Sequence, residues 1–92
     1  MFNDEDFDWD DNNIEHIARH GVEPWEAEDA LLDPYVIGAD AYNVRGEVRW
    51  GAIGATDAGR ILTVVYTRRG GKVRPIMAKD AEDTEKRRYR RR

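Results

Sequence analysis

The 92-residue sequence contains no cysteine, only two histidines and no long apolar run, and each shortage excludes a class of protein. Without cysteine the chain has no disulfide framework, thiolate metal site or thiol nucleophile, so its fold depends on packing alone. Spanning a bilayer needs roughly twenty consecutive apolar residues, and no such run is present. We therefore predict a cytoplasmic protein without a membrane segment, with one domain over residues 1–92 and a core from about residue 7 to residue 89.

The supply of metal ligands is equally small. The acidic opening, residues 4–11, lacks the fixed glycine and the terminal glutamate of a calcium-binding loop. His16 and His20 lie one helical turn apart, but no acidic ligand pattern accompanies them. Solvated or capping histidines explain this spacing better than a shared ligand does. We predict neither a bound metal nor a cofactor.

Basic residues are almost absent from the first half of the chain. Residues 1–42 contain thirteen acidic residues against one basic residue, Arg19, whereas residues 43–92 contain fourteen basic against six acidic residues. The halves carry −12 and +8, which together give the net charge of −4. The net value alone would argue against nucleic-acid binding, but the local field of the second half can still attract phosphate.

Three helices are predicted, each from its own start or stop signal. Asp10 stands at an N-cap position before an apolar stripe, and Gly21 supplies the stop. Pro24 is typical of a first helical residue, and Trp25 is predicted to face the interior with the apolar residues that follow it. The predicted helices cover about residues 11–20, residues 24–32 up to Asp33-Pro34, and a final helix that opens at Asp83 and runs through Tyr89 into three terminal arginines.

Beyond Pro34 the apolar residues no longer recur at helical spacing and follow the pattern of β-strands instead. The four predicted strands cover about residues 35–42, 47–55, 60–68 and 72–78, and a shorter one covers residues 7–9. Gly70-Gly71 is predicted to form a hairpin turn, and Pro75 places the last strand at an edge or at a bulge. The order predicts an α+β fold, in which an antiparallel four-stranded meander packs with two N-terminal helices and a basic C-terminal helix.

Eight cations lie on or beside the predicted meander. Because alternate residues of a strand share a face, Arg49, Arg74 and one of the pair Arg68 and Arg69 are predicted to project from one side. Guanidinium groups bind phosphate bidentately, which suits such a surface to RNA. Exposed cations also serve ordinary solubility and protection against aggregation, and charge alone favours that alternative. The eight are Arg45, Arg49, Arg60, Arg68, Arg69, Lys72, Arg74 and Lys79.

The last helix offers a possible acid and base. Glu85 and Tyr89 are spaced i, i+4, which places a carboxylate and a phenol on one helix face among arginines. Ordinary helix-surface contacts are the alternative that spacing alone favours. The three tryptophans Trp9, Trp25 and Trp50 are predicted to be core anchors rather than base-stacking platforms, because a small domain needs their area.

Several of these motifs occur together in the order that is typical of one family. They are Trp9-Asp10, the run from Ile17 to Val22 with its His20-Gly21 turn, the Pro-Trp-Glu-Ala-Glu helix, Asp33-Pro34, the strand Thr63-Val64-Val65-Tyr66-Thr67, and the pattern Arg74, Ala78-Lys79-Asp80-Ala81, Glu85 and Tyr89. Over about residues 7–89 the sequence resembles the BrnT family of toxins. The resemblance implies a RelE-like fold and a ribonuclease that inhibits translation. It also implies a cognate BrnA-like antitoxin that neutralises the toxin and represses their shared operon, so that the complex binds operator DNA through the antitoxin.

Combining the resemblance with the residues gives a predicted mechanism without metal, in which the ribose 2′-hydroxyl attacks the neighbouring phosphate. Arg74 and Lys79 would hold the phosphate, and Glu85 or His20 would take the proton, with Tyr89 assisting the leaving oxygen. The predicted RNA-binding residues are Arg49, Arg68 and Arg69. The alternatives are a non-catalytic module that binds RNA or a partner on the same fold, and a pure interaction protein whose basic face meets an acidic antitoxin.

Overall fold

The apolar pattern changes from a helical to a strand-like period at Pro34, and this change separates the first two helices from the sheet. The computed structural model describes residues 6–91, and the acidic residues before Asp6 lie outside that range. The elements are α1 (Asp11–Ala18), α2 (Pro24–Leu32), β1 (Ile37–Val44), β2 (Glu47–Ala55), β3 (Ile61–Arg69), β4 (Lys72–Asp80) and α3 (Asp83–Arg90). The strands are antiparallel in the order β1-β2-β3-β4. The predicted α+β class is confirmed.

Helix α1 begins at its predicted cap and ends two residues earlier than predicted. The Asp10 carboxylate accepts the backbone N–H groups of Asn12 and Asn13, and the Asn13 side chain accepts the N–H of Asp10. This reciprocal capping box satisfies donors that the first turn of a helix leaves free. The helix stops at Ala18 because the next residues form a turn that closes on Gly21, whose φ is +69°.

The hairpins and the edge strand follow the sequence signals closely. Gly70 and Gly71 both have positive φ, as a tight two-residue hairpin turn requires. Both predicted consequences of Pro75 occur: β4 is the last strand of the four-stranded sheet, and the β3–β4 register shifts beside Pro75. The predicted strand at residues 7–9 is reduced to one parallel bridge, in which Phe7 pairs with Val73 on the outer side of β4.

Helices α1 and α2 pack on one face of the sheet, which we call the first face. The main core there is formed by Ile17, Val22, Ala27, Ala30, Leu31, Ala52, Leu62, Val64, Tyr66, Val73 and Ala78. Trp9 and Trp50 are half-buried and pack against this core, as predicted. The prediction for Trp25 is wrong, because its side chain is 56% exposed. Residues two apart on a helix point about 200° apart, so burial of Ala27 turns Trp25 toward solvent.

The approach of α2 to the sheet is controlled by Gly54 in β2. A Cβ atom at this position would lie only 2.0 Å from the carbonyl oxygen of Ala30 in α2. The helix backbone therefore rests directly on the strand at the one residue type that leaves room for it.

Helix α3 packs on the opposite side, which we call the second face. Ile53, Ala81 and Tyr89 form a smaller core there, joined by Ile37, Ala55 and Ile61. Among residues 6–91 no helix is both long and apolar enough to cross a membrane.

Candidate functional site

Strand register places most of the predicted cationic site residues on the second face. Lys79 pairs with Thr63 and Arg74 pairs with Thr67, while Thr63 also pairs with Ile53 of the smaller core. Arg49 immediately precedes Trp50, which pairs with Tyr66, so Arg49 lies opposite Thr67. Since paired residues of a sheet share a face, Arg49, Arg74 and Lys79 project on the same side as α3.

The adjacent pair Arg68 and Arg69 is divided between the two faces. Arg68 pairs with Val73, whose side chain belongs to the main core of the first face. Arg69 pairs with Lys72 and lies on the second face with Arg74. Of the two alternatives left open by the sequence, Arg69 is therefore the residue that shares a face with Arg49 and Arg74.

Two of these arginines are held by carboxylates from the acidic half of the chain. Arg74 donates from Nη2 to Asp10 Oδ1 at 3.1 Å, and its Nη1 lies 3.1 Å from the second Asp10 oxygen and 3.6 Å from Asp8. Arg69 Nε donates to Asp8 at 2.7 Å. The side chain of Arg74 is only 13% exposed, so its guanidinium faces these carboxylates rather than open solvent.

The contact with Arg74 changes the acidity of Asp10. The hydrogen bond from Arg74, followed by the capping bond from the Asn13 backbone, lowers the pKa of Asp10 below its ordinary value of 3.8. The hydrogen bond to Asp8 likewise raises the pKa of Arg69. The Asp10 carboxylate and the Arg69 guanidinium are therefore charged at neutral pH.

We expect Asp10→Asn to lower stability in a pH-dependent way. Because the pKa of Asp10 is lowered in the folded chain, its charge stabilises the fold above the unfolded pKa, and this contribution disappears as the pH falls through the folded pKa. Asparagine keeps an oxygen for the helix cap but replaces the second carboxylate oxygen that faces Arg74, so the ion pair is removed and the cap is not. Urea unfolding should show a less stable variant at pH 7 and convergence with the wild type as the pH falls below 3.8 and through the lower folded pKa of Asp10. Asp40→Asn, at an exposed position on β1, is the control; a difference at Asp10 that stays constant with pH would contradict this assignment.

Two further cations of the second face, Arg49 and Lys79, differ in whether a carboxylate pairs with them. Arg49 Nε donates to Glu47 at 2.9 Å, and that hydrogen bond is the main cause of the raised pKa of Arg49. Lys79 is half-buried and forms no salt bridge with any residue between 6 and 91. Within the described chain Lys79 is thus a half-buried cation of this face without a carboxylate partner; Lys72, which pairs with Arg69 across the sheet, also forms no salt bridge but is exposed.

The two predicted residues of α3 both form hydrogen bonds that stabilise the helix or its position. Glu85 is half-buried and accepts the backbone N–H of Glu82 at 2.8 Å, which closes a capping box. Tyr89 is buried, and its hydroxyl donates to Asp33 at 2.5 Å. One turn apart, they lie on the helix side that packs toward the second face. Tyr89 thereby fastens α3 to the end of α2.

The histidines lie on the helical layer rather than among the cations of the second face. His16 and His20 are exposed on α1 and its last turn, with ring centroids 6.3 Å apart. Since α1 belongs to the helical layer of the first face, His20 lies outside the second face, which carries Lys79 and packs against α3, the helix of Glu85. No group of three or more histidine, aspartate or glutamate side chains suited to hold a metal ion occurs in the described range.

Two structural features escaped the sequence analysis. Arg60 bridges Asp80, Glu26 and the carbonyl of Gly21, and so ties β4 to α2 and to the turn after α1. A pocket of about 140 Å³ lies between α1 and β4, lined by Asn12, Asn13, His16, Arg74 and Ile76. The α1 residues of the pocket lie about sixty positions before its β4 residues, so no local sequence spacing could have indicated the pocket.

Together these features define a small α+β domain whose sheet carries a helical layer on one face and cationic side chains on the other. The family model of the ribonuclease toxin BrnT, of type II toxin-antitoxin systems, matches residues 9–85. The chain belongs to this family, and the predicted resemblance is confirmed. A comparison with curated proteins finds no match.

Proposed function

We propose that this protein is an endoribonuclease that cuts RNA at the second face of its sheet without a metal ion. The observation that carries the proposal is that Lys79 is half-buried without a carboxylate partner in the described range, on the same face as Arg49 and on the side of the sheet where α3, the helix of Glu85, packs. A phosphodiester needs a cation for its developing charge and a proton acceptor for the attacking hydroxyl, and this face supplies both.

Each residue has a role in an in-line displacement. Glu85 takes the proton of the 2′-hydroxyl, the 2′-oxygen attacks phosphorus, and the bond to the 5′-oxygen breaks. The products are a 2′,3′-cyclic phosphate and a 5′-hydroxyl, whose oxygen is protonated from water. Lys79 stabilises the charged phosphorane, and Arg49 positions the RNA backbone. The nucleophile belongs to the substrate, so the reaction does not require a metal-activated water.

Some of the predicted roles are assigned differently on this geometry. The charge of Arg74 is shared with Asp10 and Asp8, which weakens the case for a phosphate clamp there. The Tyr89 hydroxyl is already donated to Asp33, so we assign Tyr89 to positioning α3. Arg69 and Arg68 remain candidates for outer contacts with the RNA backbone, and His20 remains the alternative proton acceptor.

Membership of a type II system brings a second proposal, which concerns the partner. We infer that RNA cleavage inhibits translation and that a cognate BrnA-like antitoxin neutralises the toxin by covering the second face. The uncompensated charge of Lys79 favours an acidic segment of the partner at this position. The antitoxin would then carry the complex to operator DNA.

The test is cleavage of RNA by the purified chain in the presence of EDTA. We expect fragments with 2′,3′-cyclic phosphate ends, a loss of roughly a hundredfold or more for Lys79→Ala, and no cleavage when the antitoxin is added. Lys72→Ala, an exposed lysine at the start of β4 without an assigned role, is the matched control.

A non-catalytic binding module is the second candidate, favoured by the carboxylates that compensate Arg69 and Arg74. Under that alternative the wild-type chain binds RNA but never cuts it, with or without ribosomes. The Lys79→Ala variant would then weaken binding only.

A further inference from the structure

The pocket between α1 and β4 has the size and the walls of a site for one planar ring. Its volume is about 140 Å³, and a cavity of about 150 Å³ is known to admit one benzene ring. Ile76 gives it an apolar wall from β4, and His16 gives it an aromatic wall from α1. Flat heteroaromatic ligands bind between such surfaces.

The pocket also contains unused hydrogen-bonding groups. Asn13 is fully engaged, because its amide donates to Asp8 and Pro75 carbonyls and its oxygen accepts the Asp10 N–H. The side chains of Asn12 and His16 are different, since neither forms a hydrogen bond with another residue of the described range 6–91. An amide offers both a donor and an acceptor, which is the pattern that the edge of a nucleobase matches.

The charge of the pocket favours a neutral ligand over a phosphate. Arg74 lines the pocket, but it already lies against two oxygens of Asp10 and one of Asp8. A further anion would approach both carboxylates as well as the guanidinium, so its attraction would be largely cancelled. A base presents polar atoms without net charge and avoids this repulsion.

We propose that this pocket receives one unstacked nucleobase of the RNA substrate and thereby selects the sequence that is cut. The proposal rests on the proposed function, and it adds the position at which the substrate is read. Arg74 joins the pocket to the second face, so a nucleotide whose backbone lies along Arg49 and Lys79 can place a neighbouring base there. Asn12 reads the edge of the base and His16 packs against its ring.

The first experiment is an NMR titration of the full chain with the four ribonucleosides, and with inorganic phosphate and ribose 5-phosphate as separate arms. We expect saturable shifts of the Asn12 side-chain amide and the His16 ring with at least one nucleoside, and none with the two phosphates. Shifts caused by phosphate alone would overturn the proposal, because they would identify an anion site. An absence of shifts at both residues with every nucleoside would overturn it too.

The second experiment profiles the sequences cut by Asn12→Ala and His16→Ala. Both side chains are exposed, so these variants should fold, and we expect about tenfold weaker discrimination between bases at one fixed position beside the cut. Glu15→Ala, an exposed neighbour on α1 outside the pocket lining, is the control. Equal losses on every sequence, or an unchanged profile, would overturn base selection while leaving the ribonuclease intact. If no RNA is cut at all, the proposed function fails, and the nucleoside titration still tests whether the pocket binds a nucleobase.

Discussion

Replacing Gly54 by alanine is expected to lower the free energy of unfolding by about 3 kcal/mol or more. The added Cβ would stand 2.0 Å from the carbonyl oxygen of Ala30, and 2.9 Å from its carbonyl carbon. These are backbone atoms of α2, so no side-chain rotation relieves the collision, and the helix itself must move off β2. That movement would open the main core around Ala30 and Leu31, which are almost completely buried.

Urea unfolding of Gly54→Ala should be compared with that of Gly70→Ala. Gly70 has φ of +60° and open space around its missing Cβ, so alanine there meets only the cost of a left-handed backbone, about 1–2 kcal/mol. A larger loss at Gly54 than at Gly70 is the expected order. Equal stability losses would contradict this, because they would mean that α2 moves off the sheet at no greater cost than a left-handed backbone at Gly70.

Glu85→Gln is expected to reduce RNA cleavage by roughly a hundredfold or more while leaving the fold and RNA binding nearly unchanged. Glu85 has two tasks in our interpretation, since its carboxylate closes the capping box of α3 and accepts the substrate proton. Glutamine also closes a capping box but is a very poor base, so this single substitution separates the two tasks. Single-turnover cleavage rates and thermal unfolding of the same preparation would measure them.

Glu26→Gln provides the matched control, because Glu26 occupies the same capping position at the start of α2. It also pairs with Arg60, so we expect some loss of stability with normal cleavage. Normal cleavage by Glu85→Gln together with loss of cleavage in His20→Ala would place the proton acceptor on α1. That result would contradict our assignment to α3.

The sequence predicted the elements well because their signals are local. The Asp10 cap, the Gly70-Gly71 turn and the edge position of Pro75 each depend on a few neighbouring residues, and all three are confirmed. The prediction for Trp25 is wrong because a large apolar side chain on a helix need not face the core. On α2 the small residues Ala27 and Ala30 occupy the buried stripe instead.

The candidate site was less predictable because it depends on contacts between distant parts of the chain. Asp8 meets Arg69 across 61 positions, and Asp10 meets Arg74 across 64. Charge segregation indicated that the two halves differ, but it could not indicate which acids pair with which arginines. That pairing changes the interpretation of Arg74, whereas Lys79 remains a phosphate-binding candidate.

The hydrogen bond from Asn13 to the carbonyl of Pro75 has a consequence for the order of folding, since it joins residues 62 positions apart. The strands β3 and β4 meet through a two-residue turn, so the hairpin can close early, while docking of α1 requires a long loop to close. Amide protons of α1 should therefore exchange with solvent before those of the central strands. An intermediate with a formed sheet and an undocked α1 lacks one wall of the pocket, so selection among RNA sequences would be acquired only in the final step of folding.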